Sequence, residues 1–205
     1  MYYLKQKQNN IENLHACYNF VKPLENKFIY QILNLAESKS SPPELKAWVG
    51  EDIYDFSIRN SNIKWLKVND QTKGLYSLLE NYINLANNDA FNFNLTTSFD
   101  DIQYTKYEST DKGHYNWHQD TTTQHFVNRK LSIVIQLSDP NEYQGGNLEL
   151  YDYAPNKKYK DNIINIPKQK GQIVVFPSYL WHRVTPVTKG IRKSLVWWVG
   201  GSPLK

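Results

Sequence analysis

From Asp101 onward this chain reads almost entirely as strands, and that run limits its fold more than any other feature. Eight segments, 102–107, 114–120, 131–137, 147–152, 162–166, 172–176, 181–186 and 191–199, combine β-branched and aromatic residues and are spaced by turn signals such as Asp139-Pro140 and Gly145-Gly146. Strands this short and this numerous close into two packed sheets, so the expected fold is mainly β with flanking helices, a double-stranded β-helix or jelly roll. Helix-like apolar spacing is confined to 11–37 and 70–87, the second carried by Leu75, Leu78, Leu79, Tyr82, Ile83 and Leu85, and these helices should pack outside the sheets. The loop Ser38-Lys-Ser-Ser-Pro-Pro43 lies between them, and Ala47 to Trp65 mixes short strand-like pieces. At 205 residues, 40% hydrophobic and 14% aromatic, a single domain spanning 1–205 is expected, with helical support over about 1–100 and a jelly-roll core over about 101–201.

Within the strands sits His118-Gln-Asp120, followed sixty-two residues later by His182 and ten further on by Arg192. Side chains at i and i+2 of a strand share a face, so His118 and Asp120 can bind one metal while Gln119 points away. The third ligand must come from another strand. Ile173-Val-Val-Phe176 supplies a strongly apolar one, Pro177-Ser178 breaks it, and His182 follows where the chain turns back. Two imidazoles and one carboxylate leave three coordination positions open, which suits a mononuclear Fe(II) site. Arg192 and Ser194 again stand at i and i+2, offering a guanidinium fork and a hydroxyl to one carboxylate.

These residues carry a resemblance to the Fe(II)- and 2-oxoglutarate-dependent dioxygenases, and within them to the prolyl 4-hydroxylase-like branch with bacterial and phage members. It runs from about Ile58 to Gly201; the first fifty-odd residues match poorly. Its carriers are Tyr107, Gly113 and Tyr115 leading into His118-x-Asp120; Leu131-Ser-Ile-Val-Ile-Gln-Leu-Ser138; Tyr143-Gln-Gly-Gly-Asn-Leu148; Gly171-Gln-Ile-Val-Val-Phe-Pro177; and His182 to Arg192-x-Ser194. The resemblance implies metal and catalytic ligands His118, Asp120 and His182. It implies 2-oxoglutarate held by Arg192, Ser194 and Tyr107, with Tyr104 as the competing tyrosine. The implied cofactors are Fe(II), 2-oxoglutarate and O2, with ascorbate as an accessory. The implied reaction is hydroxylation of an unactivated C–H bond, with succinate and carbon dioxide as coproducts. A proline in a protein or peptide is the favoured substrate; a free amino acid or other small molecule competes, as does a non-catalytic metal-binding jelly-roll module. Nucleobase demethylases of this superfamily usually add a second arginine six residues after the first, where this chain has Trp198, which argues against nucleic acid.

Other residues carry weaker expectations. His125, in the polar stretch after Asp120, reads as a surface histidine, and His114 as one turned away from the metal. Ile133, Ile135, Leu148 and Val196 are expected to wall the site; Trp181, Trp197 and Trp198 are candidates for its entrance, and Arg59 for its mouth. Gly145-Gly146 reads as a strand turn, because a phosphate loop needs a lysine or a following helix. Specificity is expected to reside in the loops at 38–44 and 153–162. The net charge of +4 comes from 24 basic and 20 acidic residues with no dense basic block, so nucleic acid is not required by it. A single cysteine, Cys17, excludes an internal disulfide framework, and the absence of a long apolar run points to a cytoplasmic protein without a membrane span.

Overall fold

The structure, a computed structural model, describes residues 16–49, 53–97, 100–121, 128–152 and 162–202. The element order is β1 (Tyr18–Asn19), α1 (Asn26–Glu37), β2 (Leu45–Lys46), β3 (Arg59–Asn60), β4 (Asn62–Leu66), α2 (Lys73–Ala86), β5 (Leu95–Thr97), β6 (Ile102–Glu108), β7 (His114–His118), β8 (Asn128–Gln136), β9 (Tyr143–Gly145), β10 (Leu148–Tyr151), β11 (Ile163–Asn165), β12 (Ile173–Pro177), β13 (His182–Val184) and β14 (Val187–Gly201). The larger sheet runs β1-β12-β8-β14-β6-β4-β2, with β5 and β9 also paired to β14. The smaller runs β11-β10-β13-β7-β3. This is the expected jelly roll with helices outside. Among the described residues, no helix is long and apolar enough to cross a membrane.

The larger sheet is apolar on both faces, which is why β8 and β12 read as continuous hydrophobic runs instead of alternating ones. Leu131, Ile133 and Ile135 of β8, Ile173 and Val175 of β12, and Leu195 and Trp197 of β14 point outward into a core with the helices. From the helices, Ile29, Ile32 and Ala36 of α1 and Leu75, Leu79 and Ile83 of α2 meet them, at the i, i+3, i+4 and i+7 spacings of amphipathic helices. The intervening residues Val134, Val174 and Phe176 point the other way, into a second core between the sheets with Leu148, Leu150 and Val184. Full burial of each such aliphatic side chain contributes about 1.5–3 kcal/mol.

Two expectations need correction here. The helix expected over 11–37 begins only at Asn26; Tyr18 and Asn19 instead extend the larger sheet, opposite Val175 and Val174. Pro23 lacks the N–H that a helix interior needs, and the unpaired edge of β12 offers those residues a ladder. Residues 11–15 lie outside the described residues, as do His125 and most of the loop 153–162. The strand expected over 114–120 stops at His118, and Asp120 lies just beyond it.

Gly145-Gly146 forms the expected turn, closing the short strand β9. Both glycines have positive φ, 74° and 58°, and a Cβ on Gly145 would lie 2.0 Å from the Pro186 carbonyl oxygen. Only glycine fits there without strain.

Candidate metal centre and its pocket

In the smaller sheet β7 and β13 are antiparallel neighbours, and His118 stands directly opposite His182. Their rings lie 4.1 Å apart. Asp120 has left the strand, but its N–H donates to the Ser178 carbonyl at 2.9 Å and its own carbonyl accepts from Arg129 Nη1 at 3.3 Å. That backbone anchoring aims its carboxylate at both histidines: Oδ1 is 3.7 Å from His118 Nε2 and Oδ2 is 3.3 Å from His182 Nε2. One ligand atom from each of the three lies within 4.8 Å of the others.

The donor set fits a metal. His118 Nδ1 is 2.8 Å from the Asn116 carbonyl and His182 Nδ1 is 2.9 Å from the Leu180 carbonyl. A carbonyl can only accept, so each Nδ1 carries a hydrogen and each Nε2 is the atom turned to the Asp120 carboxylate and open to a metal. Ser132 Oγ donates to Asp120 Oδ2 at 2.8 Å and is itself 2.9 Å from Ser178 Oγ, so the carboxylate is oriented from a neighbouring strand.

Electrostatics agree with that geometry. Burial and then the charge of His182 hold the His118 pKa down to about 3. For His182 burial pulls the same way, but Asp120 outweighs it and the pKa is raised. Burial would raise Asp120, yet the two histidines hold it well below the usual carboxylate range. Asp120 thus favours a proton on His182 in the metal-free cluster, and a divalent cation would compete with it.

The cluster opens into a cavity of about 460 Å³ between the sheets. On its larger-sheet wall Arg192 and Ser194 share one face of β14, with Arg192 Nη1 3.2 Å from Ser194 Oγ. Arg192 is 3% exposed, and its guanidinium sits 5.5 Å from the Tyr107 ring. Among the described residues no carboxylate forms an ion pair with it. Gly146 makes room for it, since a Cβ there would come within 3.0 Å of Arg192 Cδ. Tyr107 lines the cavity, whereas Tyr104 points to the opposite face and hydrogen-bonds Glu37. Burial raises the Tyr107 pKa against the opposing effect of Arg59 and Arg192, so its phenol stays protonated and can donate.

Other expectations divide. Leu148, Val196, Trp198 and Arg59 line the cavity as expected. Ile133 and Ile135 do not; they face the helices, and Val134 takes their place. The reason is register: Val196 pairs with Val134 and Trp198 with Ser132, so residues 132 and 134 of β8 share the face of Arg192 and Ser194. Trp197 is also outside the cavity, donating from Nε1 to the Asp100 carbonyl at 3.0 Å, and Trp181 is not among the lining residues. His114 is turned away as expected, its ring nitrogens 3.0 and 3.2 Å from the carbonyls of Lys112 and Ser57. Gln119 likewise reaches the Tyr179 carbonyl instead of the cluster. Ser132 and Arg129 were not expected at the site; only the pairing register brings them to it.

Residues 102–200 match the family described as the 2OG-Fe(II) oxygenase superfamily, a segment that contains all three clustered ligands together with Arg192 and Ser194. Over those residues the chain is similar to that superfamily. The PKHD-type hydroxylase of Parvibaculum lavamentivorans is 34% identical over 93 residues, 42% of this chain and 38% of that protein. That of Idiomarina loihiensis is 30% identical over 86 residues, 42% of this chain and 36% of the relative. The chain thus matches well under half the length of either. Among solved structures, a Trichoplax adhaerens prolyl hydroxylase in complex with a hypoxia-inducible-factor peptide fragment superposes with a TM-score of 0.69 at 19% identity, over 90% of this chain and 83% of that one. A Pseudomonas putida prolyl-4-hydroxylase gives 0.66 at 19% identity, over 92% and 94%. At that identity the two likenesses establish the fold, and the matched segment 102–200 supplies its two sheets' central strands.

Proposed function

We propose that this protein is an Fe(II)- and 2-oxoglutarate-dependent dioxygenase that hydroxylates an unactivated C–H bond, with a proline in a protein or peptide as the acceptor. The observation that carries the reading is the convergence of the two Nε2 atoms and the Asp120 carboxylate on one point, in a cavity whose far wall holds Arg192 and Ser194. The proline assignment draws on the two neighbours just described, which are prolyl hydroxylases by name.

In this reading His118, Asp120 and His182 hold Fe(II), which with 2-oxoglutarate and O2 supplies the oxidising chemistry. The net reaction balances as C–H plus 2-oxoglutarate plus O2 giving C–OH, succinate and carbon dioxide. The protein's part is positioning. Arg192 presents two parallel donors to the distal carboxylate of 2-oxoglutarate, Ser194 adds a hydroxyl, and the Tyr107 O–H donates from β6. Val134, Leu148 and Val196 form the apolar wall between the two polar ends and limit water there. Ser132 and the Ser178 carbonyl keep Asp120 from rotating.

The test is succinate production by protein reconstituted with Fe(II) under anaerobic conditions, then given oxygen and 2-oxoglutarate, with and without proline-containing peptides. Succinate that rises with a peptide supports the hydroxylase; basal succinate alone supports the oxygenase and redirects the acceptor search. Iron binding without succinate under any condition favours a metal-binding module instead.

A further inference from the structure

A second guanidinium faces the same cavity and the reaction just described gives it no partner. Arg59, at the start of β3, is 9% exposed and lines the cavity. Among the described residues its contacts are neutral: Nε lies 3.1 Å from Ser61 Oγ, Nη2 lies 3.4 Å from Gln103 Oε1, and the guanidinium carbon sits 4.5 Å from the Tyr115 ring. Tyr115 also stacks on the metal ligand His118, with ring centroids 3.4 Å apart. One ring thus touches both the cluster and the cation, so a small group can reach from one to the other.

Counting charge around the loaded cavity isolates Arg59. Of the other arginines lining it, Arg129 is paired with Asp100 through two contacts of 2.8 and 2.6 Å. A divalent metal, Asp120, doubly charged 2-oxoglutarate and Arg192 sum to zero. Among the described residues the Arg59 charge remains. In the open cavity water can solvate it, but a substrate that fills the cavity expels that water, and a buried cation without a counter-ion is strongly disfavoured. The same cavity has an apolar and aromatic portion of wall that includes Trp48, Ile63 and Trp65. A group that satisfies both features has a carbon skeleton against the tryptophans and a carboxylate against the guanidinium.

We propose that Arg59 is the receptor for a carboxylate of the substrate, carried within a few bonds of the proline carbon that is hydroxylated. The inference rests on the dioxygenase reading above and narrows its acceptor. The carboxylate has two sources: the terminal carboxylate of proline itself, or the side chain of an acidic residue next to it. A proline flanked only by neutral groups is a poor ligand in either case.

The experiment uses the full chain loaded with Mn(II), which does not support turnover, and 2-oxoglutarate, and measures binding by calorimetry. Four probes are compared: N-acetyl-proline, N-acetyl-proline amide, and the blocked dipeptides acetyl-Pro-Asp-amide and acetyl-Pro-Asn-amide. The expected result is that one acidic probe binds on the order of tenfold or more tighter than its neutral twin, as one charge-assisted pairing provides. Which acid wins identifies the source. Arg59→Gln should remove the preference, and Arg59→Lys should keep part of it. Equal or undetectable binding of all four probes, or a preference that survives Arg59→Gln, overturns the proposal. So does a loss of 2-oxoglutarate affinity in Arg59→Gln as large as in Arg192→Gln, which would give Arg59 to the cosubstrate. Succinate formation by the wild type is independent of these outcomes, so the dioxygenase reading can stand where this one fails.

Discussion

Ser132 Oγ donates a hydrogen bond of 2.8 Å to Asp120 Oδ2, the carboxylate oxygen nearer to His182. A strand of the larger sheet therefore orients a ligand that the smaller sheet delivers. Replacing Ser132 by Ala should leave the fold intact and weaken metal binding by about tenfold or more, the usual scale for a lost partner of a metal ligand. Titration with Mn(II) or Co(II), alongside a thermal melt, separates the two effects. An unchanged metal affinity would show that the hydroxyl does not matter to Asp120.

Metal uptake should compete with a proton. The His182 pKa is raised by Asp120 in the metal-free protein, so the imidazole stays protonated to higher pH than an ordinary histidine. Binding a cation expels that proton, and affinity should fall by up to about tenfold per pH unit below the raised value. The sign for stability is the reverse. The contribution of the His182–Asp120 pair is fully present below the unfolded histidine pKa, about 6.5, and is lost as pH rises through the raised one. Proton release on metal binding, measured in buffers of different ionisation enthalpy, checks the first; metal-free melting temperatures across neutral pH check the second.

Arg192→Ala should act on the cosubstrate far more than on the metal. Removing a buried guanidinium that pairs with a carboxylate costs about 1.5–3 kcal/mol, equivalent to roughly ten- to hundredfold in 2-oxoglutarate affinity. Mn(II) affinity measured without 2-oxoglutarate should stay near that of the wild type, because the Arg192 guanidinium bonds Ser194 on the larger sheet while His118 and His182 stand on the smaller.

Adjacent residues of β8 should behave oppositely. Ile133→Ala empties a site in the helix-facing core and should cost about 2–4 kcal/mol in denaturant unfolding, with 2-oxoglutarate affinity retained. Val134→Ala should cost less stability but enlarge the cavity beside Arg192, reducing 2-oxoglutarate affinity.

That pair also shows where sequence reading stops. The clustering of His118, Asp120 and His182 was legible because histidine and carboxylate side chains at fixed spacings are chemically specific, and the shared face of Arg192 and Ser194 because they stand at i and i+2 of a strand. The wall was not. Leu131-Ser-Ile-Val-Ile135 is apolar on both faces because both faces are buried, so alternation cannot tell cavity from core; the register of β8 against β14 decides it. Ser132, an ordinary small polar residue, acquires its role only through that register. The edge strand Tyr18–Asn19 escaped for another reason: two residues carry no period, and the sheet edge that recruits them is more than a hundred and fifty positions away. Arg59 was expected at the mouth, but its burial against Tyr115 follows from the pairing of β3 with β7.

The candidate metal ligands His118 and His182 lie on the smaller sheet, while Arg192 and Ser194 lie on the larger. A molecule chelated at one end and anchored at the other would then be a cross-brace between two walls already joined by the Ser132–Asp120 hydrogen bond. Its arrival should stiffen the barrel as well as arm it: amide exchange in β7 and β13 should slow when both metal and 2-oxoglutarate are present, by more than either produces alone.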